Sequence, residues 1–267
     1  MSGTVDVGEV ALAYDETGRG PAVVYAHGLT GSRANDRYYM LNDWSPLVAA
    51  GRRLIRYDAR GHGESGGRPQ HTDYTWRHLA QDLLAVLDRL AGPRPADVIG
   101  ASMGCGTLLH AALSRPDRFA RLVLLIPPTA WDTRPEAARI NNELADLVDR
   151  RGLDFVLAAI EDAPLPPVLA QAPDKPRPAA IDERLYPHVM RGAAASDLPA
   201  PEALRALTHP TLILTWVGDP THPQSTAEKL SELLPHARLH VSSDYADVLT
   251  WGERVSAFLD DTEPRPL

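Results

Sequence analysis

The segment that decides the fold is Asp97-Val98-Ile99-Gly100-Ala101-Ser102-Met103-Gly104, which places a serine between a predicted strand and a predicted helix. The apolar run 97–99 predicts a strand, and the pattern over 103–114 predicts a helix. A strand-to-helix turn of the form Gly-x-Ser-x-Gly requires small flanking residues and forces its serine outward at the carboxyl edge of the sheet. The N–H of Met103 then lies at a helix N-terminus, where it can donate to an oxyanion. The turn therefore predicts Ser102 as an exposed nucleophile.

Short apolar runs alternate with helical patterns along the rest of the chain, which predicts a parallel sheet with crossover helices. The runs predicted as strands are 10–14, 22–26, 53–57, 97–99, 122–126, 211–216 and 238–241. Most of them are too continuously apolar for a half-exposed sheet and are typical of strands covered on both faces. Trp76 and the apolar residues that follow it at three- and four-residue spacing predict an amphipathic helix that packs on this sheet.

The pattern changes between residues 129 and 208, where the sequence offers no good strand. Helical patterns cover 135–150, 153–161 and 181–190, and six prolines lie between Pro164 and Pro178. Such a proline-rich stretch excludes a continuous helix or a central strand. Strands on both sides of the segment are needed to complete one core. We therefore interpret 129–208 as a helical, Pro-rich lid inserted into a core domain formed by 1–128 and 209–267.

Three further motifs, together with the serine turn, resemble the α/β-hydrolase family. Tyr25-Ala26-His27-Gly28-Leu29 is similar to the His-Gly loop after the family's third strand, and YDARGHGES at 57–65 matches its D-x-R-G-x-G-x-S turn after the fourth strand. In the segment 219–223, DPTHP, an Asp stands four residues before a Pro, as the family's acid usually does. The resemblance covers essentially the whole chain outside 129–208. It implies an α/β-hydrolase fold, a mostly parallel sheet with helices on both faces and a helical lid inserted after the sixth strand.

The same resemblance implies a role for individual residues. Ser102 is expected to be the nucleophile and Asp219 the acid. The backbone N–H groups of Leu29 and Met103 are expected to form the oxyanion hole. Asp132, which follows the sixth strand, is the alternative acid, with a helix N-cap as its structural alternative. No metal and no organic cofactor is implied.

The family's general base is missing from its usual place, the loop after the last strand. That loop reads SSDYADV at 242–248 and contains no histidine, and the equivalent position falls at Asp247 or Tyr245. One explanation, which we prefer, recruits His222 from the acid loop as the base. A second uses Asp247, with a pKa raised by burial and by the nearby Asp219. A third keeps the fold and moves the chemistry to a non-hydrolytic reaction or to binding alone.

The net charge and the cysteine count of the chain exclude several classes of binding partner and site. The chain of 267 residues carries 27 Lys and Arg against 35 Asp and Glu, a net charge of −8 with His neutral. This balance lacks the basic surface that nucleic acids and anionic membranes require. A single cysteine excludes an internal disulfide and a Cys-rich metal cage. The sequence has neither a leader pattern nor an apolar run of membrane length, so we expect a cytoplasmic protein without nucleic-acid or membrane partners.

Together these features predict an enzyme that hydrolyses a small-molecule substrate, a carboxylic ester, thioester or lactone, through a serine nucleophile. His27 and Trp131 are expected at the substrate pocket, with loop bracing and lid packing as their respective alternatives. The competing hypothesis is a non-hydrolytic member of the fold with an incomplete triad, either a cofactor-free lyase or cyclase or a small-molecule binder.

Overall fold

One eight-stranded sheet organises the computed structural model, which describes residues 1–34, 43–161, 165–172 and 181–261. The strands are β1 (Ser2–Val7), β2 (Val10–Thr17), β3 (Ala22–Ala26), β4 (Arg53–Tyr57), β5 (Ala96–Ala101), β6 (Phe119–Leu125), β7 (Thr211–Trp216) and β8 (Ala237–Ser242). They lie in the order β1-β2-β4-β3-β5-β6-β7-β8. β2 is antiparallel to both of its neighbours, and every pair from β4 across to β8 is parallel. The carboxyl ends of β3, β5, β6 and β7 therefore meet at one edge.

Helices cover both faces of this sheet. They are α1 (Ser45–Ala49), α2 (Trp76–Val86), α3 (Met103–Ser114), α4 (Arg134–Arg151), α5 (Leu153–Glu161), α6 (Tyr186–Ala194), α7 (Pro201–Leu204), α8 (Gln224–Leu233), α9 (Tyr245–Val248) and α10 (Trp251–Asp260). The buried cluster on one face includes apolar side chains of α2, α3 and α8, and the cluster on the other includes those of α1 and α10. The continuously apolar strands are thus buried on both sides, as their composition predicts.

Each of the seven predicted strands is present, and β1 is an additional one. Its sequence, SGTVDV, is mostly polar, and only Val5 and Val7 are buried. β1 pairs antiparallel with β2 at the edge of the sheet, across the turn formed by Gly8 and Glu9. An edge strand with so few apolar residues gives little pattern by which the sequence alone could reveal it.

The third helix predicted in the segment 129–208 is displaced along the chain. The pattern predicts 181–190, whereas α6 spans Tyr186–Ala194 with Pro187 in its first turn. Proline lacks an N–H, so it fits the first turn of a helix, where that group has no helical partner, and disrupts a helix interior. The prediction that this helix begins at 181 is therefore wrong, and Pro187 explains why.

Helices α4 to α7 lie between β6 and β7 in the chain. α4, α5 and α6 share a buried apolar cluster of their own, to which Val148, Val156 and Met190 belong, whereas Leu204 of α7 packs in the core cluster of the sheet. Arg134 anchors the start of α4: its guanidinium lies 4.4 Å from the centroid of the Trp76 ring, and its Nε donates to the Ser196 carbonyl oxygen at 2.7 Å. Burial lowers the pKa of Arg134 to about 10. The stretches 162–164 and 173–180 of the proline-rich segment lie outside the described residues, and the boundaries 129–208 remain a prediction.

The serine turn packs against strand β3 so closely that Gly104 cannot carry a side chain. A Cβ at Gly104 would collide with the carbonyl oxygen of Ala26. We expect Gly104→Ala to lower the free energy of unfolding by about 2 kcal/mol or more, because backbone atoms must move to relieve the overlap. Urea unfolding measures the change. Gly66→Ala is the matched control, since its Cβ would meet Val10 Cγ1 at an ordinary 3.5 Å. Equal stability of the two variants would contradict this account.

Candidate active site

Ser102 occupies a strained position between β5 and α3. Its backbone has φ 50° and ψ −112°, a conformation that residues other than glycine rarely adopt. The Ser102 N–H donates to the Leu125 carbonyl oxygen of β6 at 3.0 Å, which ties the turn to the sheet. The Ser102 side chain makes no capping hydrogen bond to the helix that follows. Its hydroxyl is therefore not used by α3, and its hydrogen bond is to another part of the chain.

That partner is His222, in the loop that follows β7. His222 Nε2 lies 2.9 Å from Ser102 Oγ, and His222 Nδ1 lies 2.8 Å from Asp219 Oδ2. An ionised carboxylate only accepts hydrogen bonds, so the Nδ1 of His222 carries the proton that it donates to Asp219. The Nε2 of the neutral imidazole is then left to accept from the Ser102 hydroxyl. The three side chains form a continuous hydrogen-bonded series in which the carboxylate and the imidazole come from a single loop.

Asp219 is fixed by donors on both of its carboxylate oxygens. Oδ1 accepts from the N–H of Thr221 at 2.8 Å and from the N–H of His222 at 3.3 Å. Oδ2 accepts from the Trp216 indole at 3.0 Å in addition to His222. Burial raises the pKa of Asp219, but the hydrogen bonds and charge of His222, with those of Trp216 and Thr221, outweigh burial and lower that pKa to about 2. Asp219 is therefore ionised at neutral pH.

The loop that carries both groups is also tied to the loop after β6. The Thr129 N–H donates to the Thr221 carbonyl oxygen at 3.2 Å. The Thr129 hydroxyl in turn accepts from Nη1 of the buried Arg134 at 3.2 Å. Thr221 is one of the two residues between Asp219 and His222. These contacts tie it to the start of α4, the first helix between β6 and β7.

The two predicted oxyanion donors flank Ser102. Met103 is the first residue of α3, and Gly28, which precedes Leu29, lies against Ser102: a Cβ at Gly28 would be 3.2 Å from Ser102 Cβ. Thr30, one residue later, has φ 58°, a second strained position in the same loop. No acceptor among the described residues takes up the N–H of Leu29 or of Met103. Both N–H groups are therefore available to donate to an oxygen beside Ser102.

His27 stabilises the loop that follows β3. Its Nδ1–H donates to the Gly28 carbonyl oxygen at 2.7 Å, and its Nε2 accepts from the Ala59 N–H at 2.8 Å. Burial lowers the pKa of His27, so the ring is neutral. His62 lies edge-on to it at 5.2 Å between ring centroids. Because both ring nitrogens of His27 are used by the main chain and the residue is 2% exposed, the expectation that it lines the substrate pocket is corrected to loop bracing.

Trp131 and Asp132 lie in a short turn after β6. The Trp131 N–H donates to the Asp197 carboxylate at 3.1 Å, and its indole donates to the Pro199 carbonyl oxygen at 3.1 Å. Trp131 is half-buried and packs against the core cluster that contains α2 and α3. Asp132 is exposed. Asp219, and not Asp132, is the carboxylate hydrogen-bonded to His222.

Asp247 belongs to a different cluster. Its Oδ2 lies 2.7 Å from His240 Nε2, and its Oδ1 accepts from Arg254 Nη2 at 2.8 Å. Burial raises the pKa of Asp247, but hydrogen bonds from Ser242, His240 and Arg254 outweigh it and hold that pKa below its usual range. The hypothesis of an Asp247 base with a raised pKa is therefore wrong, because the carboxylate is stabilised in its charged form.

Tyr245, the other position considered for the base, is buried in the apolar cluster on the α10 face of the sheet. Burial raises the pKa of its phenol, so the hydroxyl loses its proton less readily and the phenolate that could act as a base is disfavoured near neutral pH. The loop after β8 thus supplies packing and an ion-pair cluster, while the imidazole beside Ser102 comes from the loop after β7.

Neither a metal site nor a membrane span is evident in the part of the chain that the structure describes. No group of three or more His, Cys, Asp or Glu side chains there is arranged to hold a metal ion. None of the helices described is both long and apolar enough to cross a bilayer.

Comparison with known proteins places this arrangement in a family. The family model for the alpha/beta hydrolase fold matches residues 21–162. RutD of Variovorax paradoxus (strain S110), a carbamate hydrolase by provisional designation, is 33% identical over 240 residues, covering 83% of this chain and 82% of that protein. The chain belongs to the α/β-hydrolase family.

Another relative matches part of the sequence of this α/β-hydrolase chain, and a solved structure matches its fold. The sn-1-specific diacylglycerol lipase ABHD11 of Mus musculus is 38% identical over 107 residues, covering 39% of this chain; the match spans about a third of the lipase, 32% of its length. A thermophilic esterase from Thermogutta terrifontis has a similar structure, with a TM-score of 0.74, 24% identity and coverage of 97% of this chain and 96% of the esterase. At that identity the likeness shows the fold alone.

The sequence analysis missed Trp216 as a residue of this site. Its position at the end of an apolar strand is typical of a core residue, and it is 3% exposed. The signal that would have found it is the short spacing to Asp219: an indole N–H three residues before a buried carboxylate has an acceptor within reach.

Proposed function

We propose that this α/β-hydrolase chain cleaves a small carboxylic ester, thioester or lactone, with Ser102 as nucleophile, His222 as general base and Asp219 as the acid that orients it. The observation that carries the proposal is the hydrogen-bonded series of these three side chains, 2.9 Å from Ser102 to His222 and 2.8 Å from His222 to Asp219. A neutral imidazole held in this way can accept a serine proton and return it to a leaving group. Binding alone requires no such series, which favours an enzyme over a small-molecule binder; the assay below separates hydrolysis from a lyase or cyclase reaction.

Acylation begins when Ser102 Oγ attacks the carbonyl carbon while His222 Nε2 takes the hydroxyl proton. The carbonyl π electrons move onto oxygen, and the N–H groups of Leu29 and Met103 are proposed to hold that oxyanion. When the intermediate collapses, the bond to the leaving oxygen or sulfur breaks and the imidazolium returns its proton to it. Water, activated by the same His222, then attacks the acyl-enzyme, releases the carboxylic acid and restores the Ser102 hydroxyl.

Asp219 acts in this scheme as a fixed negative charge. Its pKa of about 2 keeps it ionised throughout the range of ordinary assays, and its charge stabilises the imidazolium that forms during both steps. Protonation of Asp219 is therefore not expected to limit activity within that range.

The substrate is proposed to be uncharged, with an apolar acyl group. The Leu29 side chain packs both on the core cluster of the sheet and on the apolar cluster of α4 to α6, so apolar side chains lie beside the oxyanion loop. We propose that the segment 129–208 acts as a lid whose apolar side chains shape the acyl pocket. The half-buried ring of Trp131 is a candidate wall of that pocket.

A panel of p-nitrophenyl esters with acyl chains of increasing length tests this function. The purified chain is expected to hydrolyse the shorter members with saturation kinetics, and to leave free p-nitrophenol and the carboxylic acid as the only products. A lyase, a cyclase or a binding protein would give no turnover of any ester in the panel, and that outcome would overturn the proposal.

Asp247→Asn separates the two bases considered for this site. We expect ester turnover within about twofold of the wild type, because Asp247 bonds to His240 and Arg254 and not to the serine.

At pH 7 the Asp247→Asn variant is expected to have a free energy of unfolding lower by up to about 1 kcal/mol, a small value because the Asp247 ion pairs are partly exposed. Because the folded-state pKa of Asp247 is lowered, this difference is present above the carboxylate's unfolded pKa and disappears as the pH falls. Assays and thermal unfolding at pH 7 and about pH 3 measure both effects. A loss of turnover above a hundredfold would reinstate Asp247 as the base.

A further inference from the structure

Trp216, the last residue of β7, contacts the acid of the proposed site directly. Its indole Nε1–H donates to Asp219 Oδ2 at 3.0 Å, and the same oxygen accepts the Nδ1–H of His222 at 2.8 Å. We propose that Trp216 is a positioning residue for the serine hydrolysis proposed above, which holds the Asp219 carboxylate in the orientation that keeps His222 aligned on Ser102. The inference rests on that proposed function, and its tests below are chosen to separate the two.

The need for such a donor follows from the shape of the loop. Asp219 and His222 are only three residues apart, and Oδ1 of Asp219 is held by main-chain N–H groups of the same loop. If the loop shifts, those donors shift with it. Among the described residues, Trp216 supplies the one hydrogen bond to the carboxylate from the sheet itself. This hydrogen bond therefore fixes the orientation of the Asp219 carboxylate relative to β7, the strand that precedes the loop.

The indole is itself held rigidly. Trp216 stacks on Trp251 of α10, with ring centroids 5.4 Å apart and planes 19° from parallel. The Trp251 indole donates to Ser242 Oγ at 2.9 Å, so the second ring is fixed as well. The Trp216 ring also meets the His222 ring edge-on, with centroids 6.4 Å apart. One buried side chain thus restrains both the acid and the base.

The alternative role is packing alone, since Trp216 lies in the apolar cluster on the α10 face of the sheet. Trp216→Phe separates the two roles, because it keeps an aromatic ring on Trp251 and removes the N–H. Trp44→Phe is the matched control: Trp44 is buried in the same cluster, and its indole nitrogen has no hydrogen-bond partner among the described residues.

We expect Trp216→Phe to lower kcat about tenfold or more with KM changed less than about twofold, because a charge-assisted hydrogen bond to the acid is lost while the substrate pocket is kept. Trp44→Phe should leave both kcat and KM unchanged. Equal kinetics of the two variants would overturn the proposal.

Indole N–H resonances of the 15N-labelled protein give a second test that does not depend on turnover. The Trp216 signal, assigned through Trp216→Phe or through its contacts with the Trp251 ring, is expected to move in His222→Ala, because the Asp219 oxygen that accepts from the indole loses its second donor. The Trp44 signal should not move. If no ester is hydrolysed but the Trp216 signal moves in His222→Ala, the proposed function fails and the coupling stands. A Trp216 signal that is unchanged in His222→Ala would refute the positioning role whatever the activity.

Discussion

Ester turnover is expected to fall about 10⁴- to 10⁶-fold in Ser102→Ala, and covalent labelling by a fluorophosphonate is expected to disappear. Ser102 Oγ is the only atom that the proposed mechanism allows to attack the carbonyl carbon. The oxyanion donors and the pocket remain in the variant, so a small rate above that in water should survive. Intact-protein mass spectrometry after labelling, together with p-nitrophenyl ester assays, measures both effects.

Ser102→Gly is the control for backbone strain in this experiment. Both substitutions remove the hydroxyl, but glycine adopts the φ of 50° at this position without strain, so the glycine variant should be the more stable of the two. Equal loss of labelling in both variants, despite different stability, assigns the effect to the hydroxyl. Persistent labelling of either variant would show that another residue is the nucleophile.

Turnover is expected to fall about 10³- to 10⁵-fold in His222→Ala, the second largest effect. Without the imidazole, no other side chain among the described residues is hydrogen-bonded to the Ser102 hydroxyl to take its proton, and the charge of Asp219 has no cation to stabilise. The loss should appear in kcat rather than in KM, because His222 acts on the reacting proton. Adding Ser102→Ala to this variant should cost little more, since residues that act as a unit are not additive.

His240→Gln is the control histidine for this prediction. His240 lies on β8 and pairs with Asp247, so it belongs to the ion-pair cluster and not to the serine site. Its substitution should leave kcat within about twofold of the wild type. Equal losses in the two variants would instead indicate that both histidines act through the stability of the fold.

The sequence predicts the sheet well because its signal is local. β3, β4 and β7 have the predicted bounds. β3 and β7 are nearly continuous apolar runs, and β4 is centred on the apolar pair Leu54 and Ile55. The serine turn is equally local, because small residues at Gly100 and Gly104 are required for the strand and helix to approach. The position of α6 depends on how Pro187 is accommodated, and the polar edge strand β1 is stabilised by pairing that no single run of sequence reveals.

The site is harder to predict because its members meet only in three dimensions. Ser102 and Asp219 follow from motifs, but the sequence offers His222 and Asp247 as alternative bases and has no pattern that decides between them. In the structure, Asp219 Oδ1 accepts from the N–H of Thr221 and of His222. These hydrogen bonds turn the loop after β7 so that the imidazole is directed toward Ser102. The Trp216 contact with Asp219 is likewise a matter of side-chain direction.

The loop after β7 is proposed to supply both the acid and the base to Ser102. The most direct test is the rate of fluorophosphonate labelling in the wild type, His222→Ala and Asp247→Asn, followed side by side by intact mass. The account predicts equal rates for the wild type and Asp247→Asn, and a rate at least about 10³-fold lower for His222→Ala. Rapid labelling of His222→Ala with loss of labelling in Asp247→Asn would contradict it.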